Sequence, residues 1–277
     1  MPELPELQAL AERIEETYGG HVLRRVDAFQ FSALKTVEPS PFDLAGRSLD
    51  AVGRRGKYLI FELGDLRVLL HLSQGGRVDF EDPPKSTKPR GAVARLVFES
   101  GPSLLVKEFG TERKAAWWVL AAGDPGALEG LGPEPFDDAF ALAVEAVSDG
   151  RQLHNWLRDQ RVVAGIGRGF ADDLLHEARL SPLKKTSSLT AGERASLLAA
   201  VRKVMTEATE RERARTGGLP AKMGDRFTIH NHYGKPCPRC GETLRHVVYE
   251  SREVVYCPAC QTGGKVLADR VLSQFLK

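Results

Sequence analysis

The hydrophobic positions change their period about halfway along the chain. Apolar residues recur at helical spacing from Leu4 to Ile14 and predict an N-terminal helix that ends near Gly19 and Gly20. Short β-prone runs follow, separated by turn-like stretches, and they cover Tyr58–Leu63, 68–72, 93–98 and 104–106. The first half of the chain therefore predicts one helix followed by a β-sandwich or barrel.

A segment rich in Gly, Pro and Asp, 123–138, separates this half from a helical one. Apolar stripes then predict three short helices, over 140–147, 153–160 and 170–178. Thr190 and Glu193 form a capping-box pattern at the start of a long amphipathic helix. The stretch 215–227 is typical of a loop.

The overall composition and net charge say little about function, but the distribution of charge along the chain is informative. The chain is 42% hydrophobic and 27% charged, without an 18-residue apolar run or a signal-peptide pattern, so we expect a cytoplasmic protein. The net charge is +2, but residues 226–277 carry eight Lys and Arg against four Asp and Glu. This end favours a polyanionic partner, although imbalances of this size are common.

All four cysteines lie in this basic end and form two CxxC knuckles. Cys237 and Cys240 are separated from Cys257 and Cys260 by 16 residues, a spacing typical of a zinc site. Four thiolates close the tetrahedral shell, so we expect one structural Zn²⁺ per chain. The alternative is two disulfides or a redox pair, which a cytoplasmic chain disfavours.

The residues between the knuckles predict a β-hairpin. Two runs of sequence V-V-Y, at 247–249 and 254–256, flank a polar tip that contains Arg252. Such a hairpin brings the second knuckle back to the first. Arg252 is then either presented to a ligand or is a solvated turn arginine.

A Gly-rich turn interrupts the helical half at 165–169, inside the segment 160–182. The turn predicts a helix–turn–helix whose second helix begins at about Gly169. The free N–H groups and the dipole at that N-terminus favour a phosphate, which suits docking of a DNA backbone. A plain αα-hairpin is the alternative.

These segments, in this order, resemble the formamidopyrimidine-DNA glycosylase/endonuclease VIII family of base-excision repair enzymes. The resemblance rests on MPELPEL at 1–7, RRGKYL at 54–59, LGPEP at 131–135, residues 160–182, and the cysteine segment 233–261. It implies an α+β multidomain fold. An N-terminal helix plus β-sandwich is joined to a helical domain that contains a helix–two-turns–helix element and a β-hairpin zinc finger, with DNA in the cleft between them.

We therefore divide the chain into five parts. They are a catalytic helix and β-sandwich domain at 1–122, a linker at 123–136, a helical domain at 137–227, a zinc finger at 228–263 and a tail at 264–277.

The resemblance assigns Pro2 as the nucleophile once Met1 is removed. An α-amino group has a pKa of about 7.7 to 8, against about 10.4 for lysine, so far more of it is neutral at pH 7. A secondary amine also forms an iminium that stays cationic without a proton. Taken alone, Pro2 is more simply a helix-start proline.

The remaining catalytic residues also come from the resemblance. Glu3 is expected to protonate the opening deoxyribose, and Glu6, one turn on, either supports it or is a first-turn glutamate favoured by the helix dipole. Lys57 is expected to reach the phosphate from a strand. Arg252 is expected to hold the phosphates that flank the lesion and to assist δ-elimination.

DNA contacts are expected from His71, Gln74, Arg113, Lys114, Gly167 and Arg168. Gln74 stands where the purine-repair branch has a methionine, Lys114 where it has a phenylalanine, and Arg168 where it has an asparagine. The loop 215–227 is also shorter than the lesion-capping loop of that branch. These departures favour oxidised pyrimidines and abasic sites.

We therefore expect a bifunctional DNA glycosylase/AP lyase, monomeric and without a membrane partner, that acts by β,δ-elimination. The alternative is a zinc-dependent protein that binds damaged or abasic DNA without excising bases. A set of Pro2, Glu3 and Lys57 argues against it, since binding alone does not need those three residues.

Overall fold

The computed structural model describes residues 1–110, 113–249 and 252–267, and only the backbone of Tyr249 and Arg252. The chain divides into two compact units. The first comprises Met1–Gly130 with Ala208–Gly224, and the second comprises Leu131–Glu207 with Asp225–Lys277. Within the described ranges, none of the helices is both long enough and apolar enough to cross a membrane.

The first unit contains helix α1 (Leu4–Tyr18) and eight antiparallel strands in two four-stranded sheets. The strands are β1 (Leu23–Ala28), β2 (Ala51–Arg55), β3 (Tyr58–Leu63), β4 (Leu66–His71), β5 (Gly76–Glu81), β6 (Ala92–Phe98), β7 (Ser103–Glu108) and β8 (Ala116–Ala121). One sheet has the order β1-β6-β7-β5 and the other β2-β3-β4-β8. A single apolar cluster joins α1 to both sheets, with Leu10, Leu59 and Val106 among its members.

Helix α1 confirms the N-terminal prediction, because its apolar positions Leu7, Leu10 and Ile14 are buried in that cluster. The helix ends where the backbone N–H of Gly19 donates to the carbonyl of Glu15 at 2.8 Å. Its other side is fixed by Arg13, whose guanidinium donates to two carbonyl oxygens, of Glu212 and Gly217, at 2.8 Å each. Arg13 therefore ties α1 to the segment 212–217 of the same unit.

Four of the eight strands were missed by the sequence pattern: β1, β2, β5 and β8. Strands β1, β2 and β5 carry charged residues or glycine at several positions, in the sequences LRRVDA, AVGRR and GRVDFE. Such strands pair at sheet edges or face solvent on one side, so they lack a continuous apolar run. The predicted two-layer β architecture itself is confirmed.

The second unit is helical and ends in the cysteine segment. It contains α2 (Asp138–Ala146), α3 (Leu153–Arg158), α4 (Arg168–Glu177), the start of α5 (Ala191–Arg213), the hairpin β9 (Arg245–Tyr249) and β10 (Arg252–Tyr256), and the short α6 (Pro258–Gln261). All four predicted helices are present. The predicted capping box is confirmed, because Thr190 and Glu193 exchange backbone-to-side-chain hydrogen bonds at the start of α5.

The predicted hairpin between the knuckles is also confirmed. Strands β9 and β10 pair antiparallel, with Arg252 opposite Tyr249 and Tyr256 opposite Arg245. The side chain of Arg252 lies outside the described residues, as does most of the tail, 268–277.

Candidate active site and nucleic-acid interface

Two buried carboxylates lie at the N-terminus of α1. Glu3 is 3% exposed and Glu6 is fully buried. The backbone N–H of Glu3 donates to Oε2 of Glu6 at 2.8 Å, and the two residues form a reciprocal capping box. Negative charge is stabilised at a helix N-terminus by the dipole. Both carboxylates therefore lie at the end of α1 where the helix dipole stabilises negative charge.

Pro2 directly precedes this capping box and is itself buried, whereas Met1 is 38% exposed. While Met1 is attached, the nitrogen of Pro2 belongs to an amide and is not a nucleophile. The accessible position of Met1 suits its removal. Removal would expose a secondary amine one residue before the Glu3 carboxylate.

Lys57 lies in the two-residue turn between β2 and β3, so the expectation that it projects from a strand was wrong. Its neighbour Gly56 has a φ of +56°, which only a glycine adopts without strain. Lys57 is only 6% exposed. The tight turn thus directs a long cationic side chain into the unit instead of into solvent.

Arg54 connects this turn to α1. Its Nη1 donates to the carbonyl of Gly56 at 2.9 Å, and its Nε donates to Oε1 of Gln8 at 3.1 Å. Helix α1 also packs directly on β2 and β3. One guanidinium therefore fixes the turn that carries Lys57 relative to the helix that carries Pro2 and Glu3. RRGKYL gave the sequence signal for Lys57, but nothing in the sequence indicated the partnership of Arg54 with Gln8.

His71 ends β4 and lies opposite Tyr58, with ring centroids 4.8 Å apart. Burial, reinforced by the nearby charge of Lys57, lowers the pKa of His71 to about 4. The imidazole is therefore neutral near pH 7. It can donate a hydrogen bond to a phosphate oxygen but does not contribute a cation.

Gln74 is exposed at the tip of the turn between β4 and β5. The turn is tight, because Ser73 has a positive φ of 51° and the N–H of Gly76 donates to the carbonyl of Leu72 at 2.8 Å. A Cβ at Gly76 would lie 2.2 Å from that carbonyl oxygen, so the position requires glycine. Arg113 and Lys114, the other expected wedge residues, are likewise exposed.

In the second unit, Gly167 caps α4 and Arg168 is its first residue. The preceding turn is held by Gln160, whose amide accepts from the N–H of Gly165 at 3.0 Å and donates to the carbonyl of Ile166 at 2.7 Å. A Cβ on Gly169 would meet the ring of Phe227 at 2.2 Å. Gly169 therefore allows the N-terminus of α4 to pack closely on Phe227.

Asp172 and Asp173 are two buried carboxylates of α4 that sequence reasoning missed. Asp173 accepts from the backbone N–H groups of Thr228, Ile229 and His230 at 2.7 to 3.2 Å. Burial raises the pKa of Asp173 to about 6, and these bonds offset only part of the shift. Consecutive aspartates between apolar residues were the available signal. Asp173 attaches the segment 228–230, which precedes the zinc finger, to α4.

Asp172 lies between two histidines. His154 Nε2 is 3.1 Å and His230 Nδ1 is 2.6 Å from its carboxylate oxygens. Burial opposes ionisation of Asp172, but the two histidines outweigh it and lower the pKa of this carboxyl. The backbone N–H of Val255 in β10 donates to the same carboxylate at 3.2 Å. Asp172 thus links α3, α4 and the hairpin.

The four cysteine sulfurs converge within 4.8 Å of one another. Three of their separations are 3.4 to 4.0 Å, far longer than a disulfide bond of about 2.05 Å, and all four cysteines are free. Sulfurs around one tetrahedral ion at about 2.3 Å stand at such separations. The donor set fits a closed, structural zinc site, as predicted, and the disulfide alternative is wrong.

The architecture defines a protein with buried carboxylates at its N-terminus, a helix–two-turns–helix element and a Cys₄ zinc finger. Family models match each part in turn: the formamidopyrimidine-DNA glycosylase N-terminal domain over residues 1–111, the H2TH domain of that glycosylase over 131–217, and a zinc finger found in FPG and IleRS over 234–263.

Whole-chain relatives agree with these matches. The chain is 32% identical to a formamidopyrimidine-DNA glycosylase of Symbiobacterium thermophilum, over 94% of this chain and 89% of the relative. It is 32% identical to one from Thermus thermophilus, over 95% of this chain and all of the relative. The chain belongs to the formamidopyrimidine-DNA glycosylase family of base-excision repair enzymes.

Solved structures share the fold along the same length. One is a Lactococcus lactis FPG variant in complex with Fapy-dG-containing DNA, with 26% identity and a TM-score of 0.82 over 94% of this chain and all of that chain. Another is MutM in complex with DNA that contains carbocyclic 8-oxo-G, with 25% identity and a TM-score of 0.81 over the same shares.

Proposed function

We propose that this protein excises oxidised bases from DNA and then cleaves the strand at the abasic site. The observation that carries the proposal is the N-terminus of α1, where Pro2 adjoins the Glu3–Glu6 capping box and Arg54 fixes the Lys57 turn to the same helix. A protein that only binds DNA has no need for buried carboxylates beside a potential N-terminal amine.

Pro2 is the proposed nucleophile after removal of Met1. Its amine attacks C1′ of the damaged nucleotide, the base departs with the electron pair of the glycosidic bond, and the sugar opens to an iminium. The cation acidifies C2′, so loss of a C2′ proton breaks the C3′–O bond to the phosphate. A second elimination at C5′ releases the sugar, and hydrolysis of the iminium returns the amine.

Glu3 and Lys57 are the proposed supporting groups. The Glu3 carboxyl protonates the ring oxygen as the sugar opens and accepts protons later. Lys57 neutralises the phosphate at the 3′ side and assists elimination. Arg252 is proposed to hold the phosphates next to the lesion through its planar fork, and this role rests on the family resemblance.

Damaged DNA is the proposed partner of a monomeric enzyme. The target nucleotide must leave the stack before its C1′ is reachable, and exposed Gln74, Arg113 and Lys114 are the proposed fillers of the gap. Neutral His71 and the N-terminus of α4, with Gly167 and Arg168, are proposed to bind phosphates. Zn²⁺ stabilises the finger and takes no part in the chemistry.

We further propose a preference for oxidised pyrimidines and abasic sites over 8-oxoguanine. A glutamine at the tip of the β4–β5 turn supports this, because its amide offers hydrogen bonds where a methionine offers only an apolar wedge. The relatives carry the name of a purine lesion, so the two lesion classes must be compared directly.

Single-turnover assays on duplexes that contain thymine glycol, 8-oxoguanine or an abasic site test the proposal. We expect base release from thymine glycol, strand cleavage at both the thymine glycol and the abasic site, and much less of both products with Pro2→Gly. Tight binding of abasic DNA without any cleavage by protein that lacks Met1 would favour the non-excising binder. Faster release of 8-oxoguanine than of thymine glycol would reverse the lesion preference alone.

A further inference from the structure

A buried histidine of α4 touches the zinc site. His176 lies in the last turn of the helix, is 3% exposed, and places Nε2 3.2 Å from Sγ of Cys237. None of the proposed catalytic roles uses this residue. The contact joins the helical element to the first knuckle of the finger through a metal ligand itself.

The direction of this hydrogen bond follows from the chemistry of the metal site. A zinc-bound cysteine is a thiolate and has no proton to donate. The proton must therefore be on Nε2 of His176, and Cys237 Sγ accepts it. His176 is not a fifth ligand, because the four sulfurs already complete a tetrahedral shell.

Further contacts hold the same end of α4 against both knuckles. Arg239, inside the first knuckle, donates to the carbonyl of His176 at 2.6 Å and to Oε2 of Glu177 at 2.7 Å. Gln261, just after the second knuckle, accepts from the N–H of Cys257 at 2.8 Å and donates to the carbonyl of Leu180 at 2.9 Å. The two knuckles are thus bonded to the end of α4 and to the residues that follow it, and among these contacts the one from His176 reaches a sulfur.

We propose that His176 is a positioning residue of the zinc site, whose N–H···S bond makes metal binding and the packing of α4 mutually dependent. The bond stabilises the thiolate, because a donor to the charged sulfur is a charge-assisted hydrogen bond. Loss of the metal releases the sulfur of Cys237, so the acceptor of this bond is no longer held in place. Zinc therefore helps to hold the C-terminal end of α4, the helix whose N-terminus is proposed to bind a phosphate.

Two variants separate the hydrogen bond from packing. His176→Phe keeps a ring of similar size without the donor, and His176→Gln restores an N–H donor without the ring. We expect zinc affinity, measured by competition with a chelator, to fall about tenfold or more in His176→Phe and to recover in part in His176→Gln. Equal affinity in the wild type and His176→Phe would overturn the proposal.

Substitution of Co²⁺ for Zn²⁺ allows the electronic state of the ligating sulfurs to be measured by absorption spectroscopy. Removing a hydrogen bond from a ligating thiolate raises the energy of its donor orbitals. The thiolate-to-Co²⁺ charge-transfer band should therefore move to lower energy in His176→Phe. Arg239→Gln is the matched control, because it weakens the helix–finger contact without touching a sulfur, and its band should stay in place. An equal shift in both variants, or a Co²⁺ spectrum with a changed coordination number in His176→Phe, would contradict the assignment.

Hydrogen exchange tests the coupling to the helix. Zinc removal should speed exchange of the amides in the last turns of α4 in the wild type. In zinc-loaded His176→Phe those amides should already exchange faster than in the zinc-loaded wild type. Zinc removal should then increase their exchange rate by a smaller factor than in the wild type. Identical responses in the two proteins would show that the helix does not depend on the metal through His176.

Discussion

The backbone N–H of Glu3 donates a 2.8 Å hydrogen bond to the buried carboxylate of Glu6. Glu6 thereby fixes the backbone that positions Pro2 and Glu3. This contact favours a supporting role for Glu6 over direct participation in proton transfer. The two roles predict different results for the same pair of variants.

Glu6→Gln keeps an oxygen that can accept from the N–H of Glu3, whereas Glu6→Ala removes this acceptor. We expect Glu6→Gln to cleave abasic DNA within a few-fold of the wild-type rate. Glu6→Ala should lose about 1 to 3 kcal/mol of stability and most of its activity. Thermal unfolding and single-turnover cleavage measure both effects. An inactive but fully stable Glu6→Gln would place the Glu6 carboxylate in the chemistry.

Arg54 should affect the lyase step through geometry. Arg54→Lys keeps the charge but loses the fork that bonds Gln8 and Gly56 at once. We expect the rate of abasic-site cleavage to fall about tenfold with little change in DNA affinity, because small displacements of catalytic groups are costly. Arg55→Lys is the matched control. Equal losses in the two variants, or a loss confined to DNA affinity, would contradict the positioning role.

The depressed pKa of His71 predicts a pH-dependent stability. Between about pH 4 and the ordinary imidazole pKa of 6.5, the unfolded chain binds a proton that the folded chain does not. Stability should therefore decrease as the pH falls through this window. A shift of this size corresponds to about 3 kcal/mol at most.

Replacing His71 isolates this effect from other titrations. The free energies of unfolding of the wild type and of His71→Gln are measured by urea denaturation from pH 7 to pH 4. As the pH falls, the wild type should lose stability relative to the variant. A difference that is constant across this range would show that His71 is not buried in its neutral form.

Zinc removal should unfold the finger. The buried apolar cluster around the metal site consists of Ile229, Cys237, Leu244, Val255 and Cys257, which is too small to hold a fold without the metal. Chelation should therefore abolish tight binding of abasic DNA, measured by fluorescence anisotropy, and added Zn²⁺ should restore it. Unchanged affinity in protein shown to be metal-free would mean that the finger is dispensable for binding.

Local patterns predicted much of this molecule because local physics determines those parts. The period of the apolar residues in α1, the capping box at Thr190 and the two cysteine knuckles each depend on residues that are close in the chain. Strand β5 was missed because its polar positions, Arg77, Asp79 and Glu81, leave it without a continuous apolar run, and its pairing with β7 stabilises it.

The connections within the site could not be predicted because they join distant residues. Arg54 and Gln8 are 46 positions apart, and His176 and Cys237 are 61 apart. Arg54, Gln8 and His176, each taken alone, resemble ordinary surface or core residues. Only the fold brings the pairs together, so the partners that orient a catalytic or metal-binding group become visible only in three dimensions.

Borohydride trapping on abasic-site DNA tests the central claim most directly. Protein that lacks Met1 should form a covalent adduct after reduction, and peptide mass analysis should place the DNA remnant on the N-terminal peptide at Pro2. Pro2→Gly should greatly reduce that adduct, and protein that retains Met1 should form none. An adduct on Lys57 instead, or no adduct from fully processed and folded protein, would contradict the account.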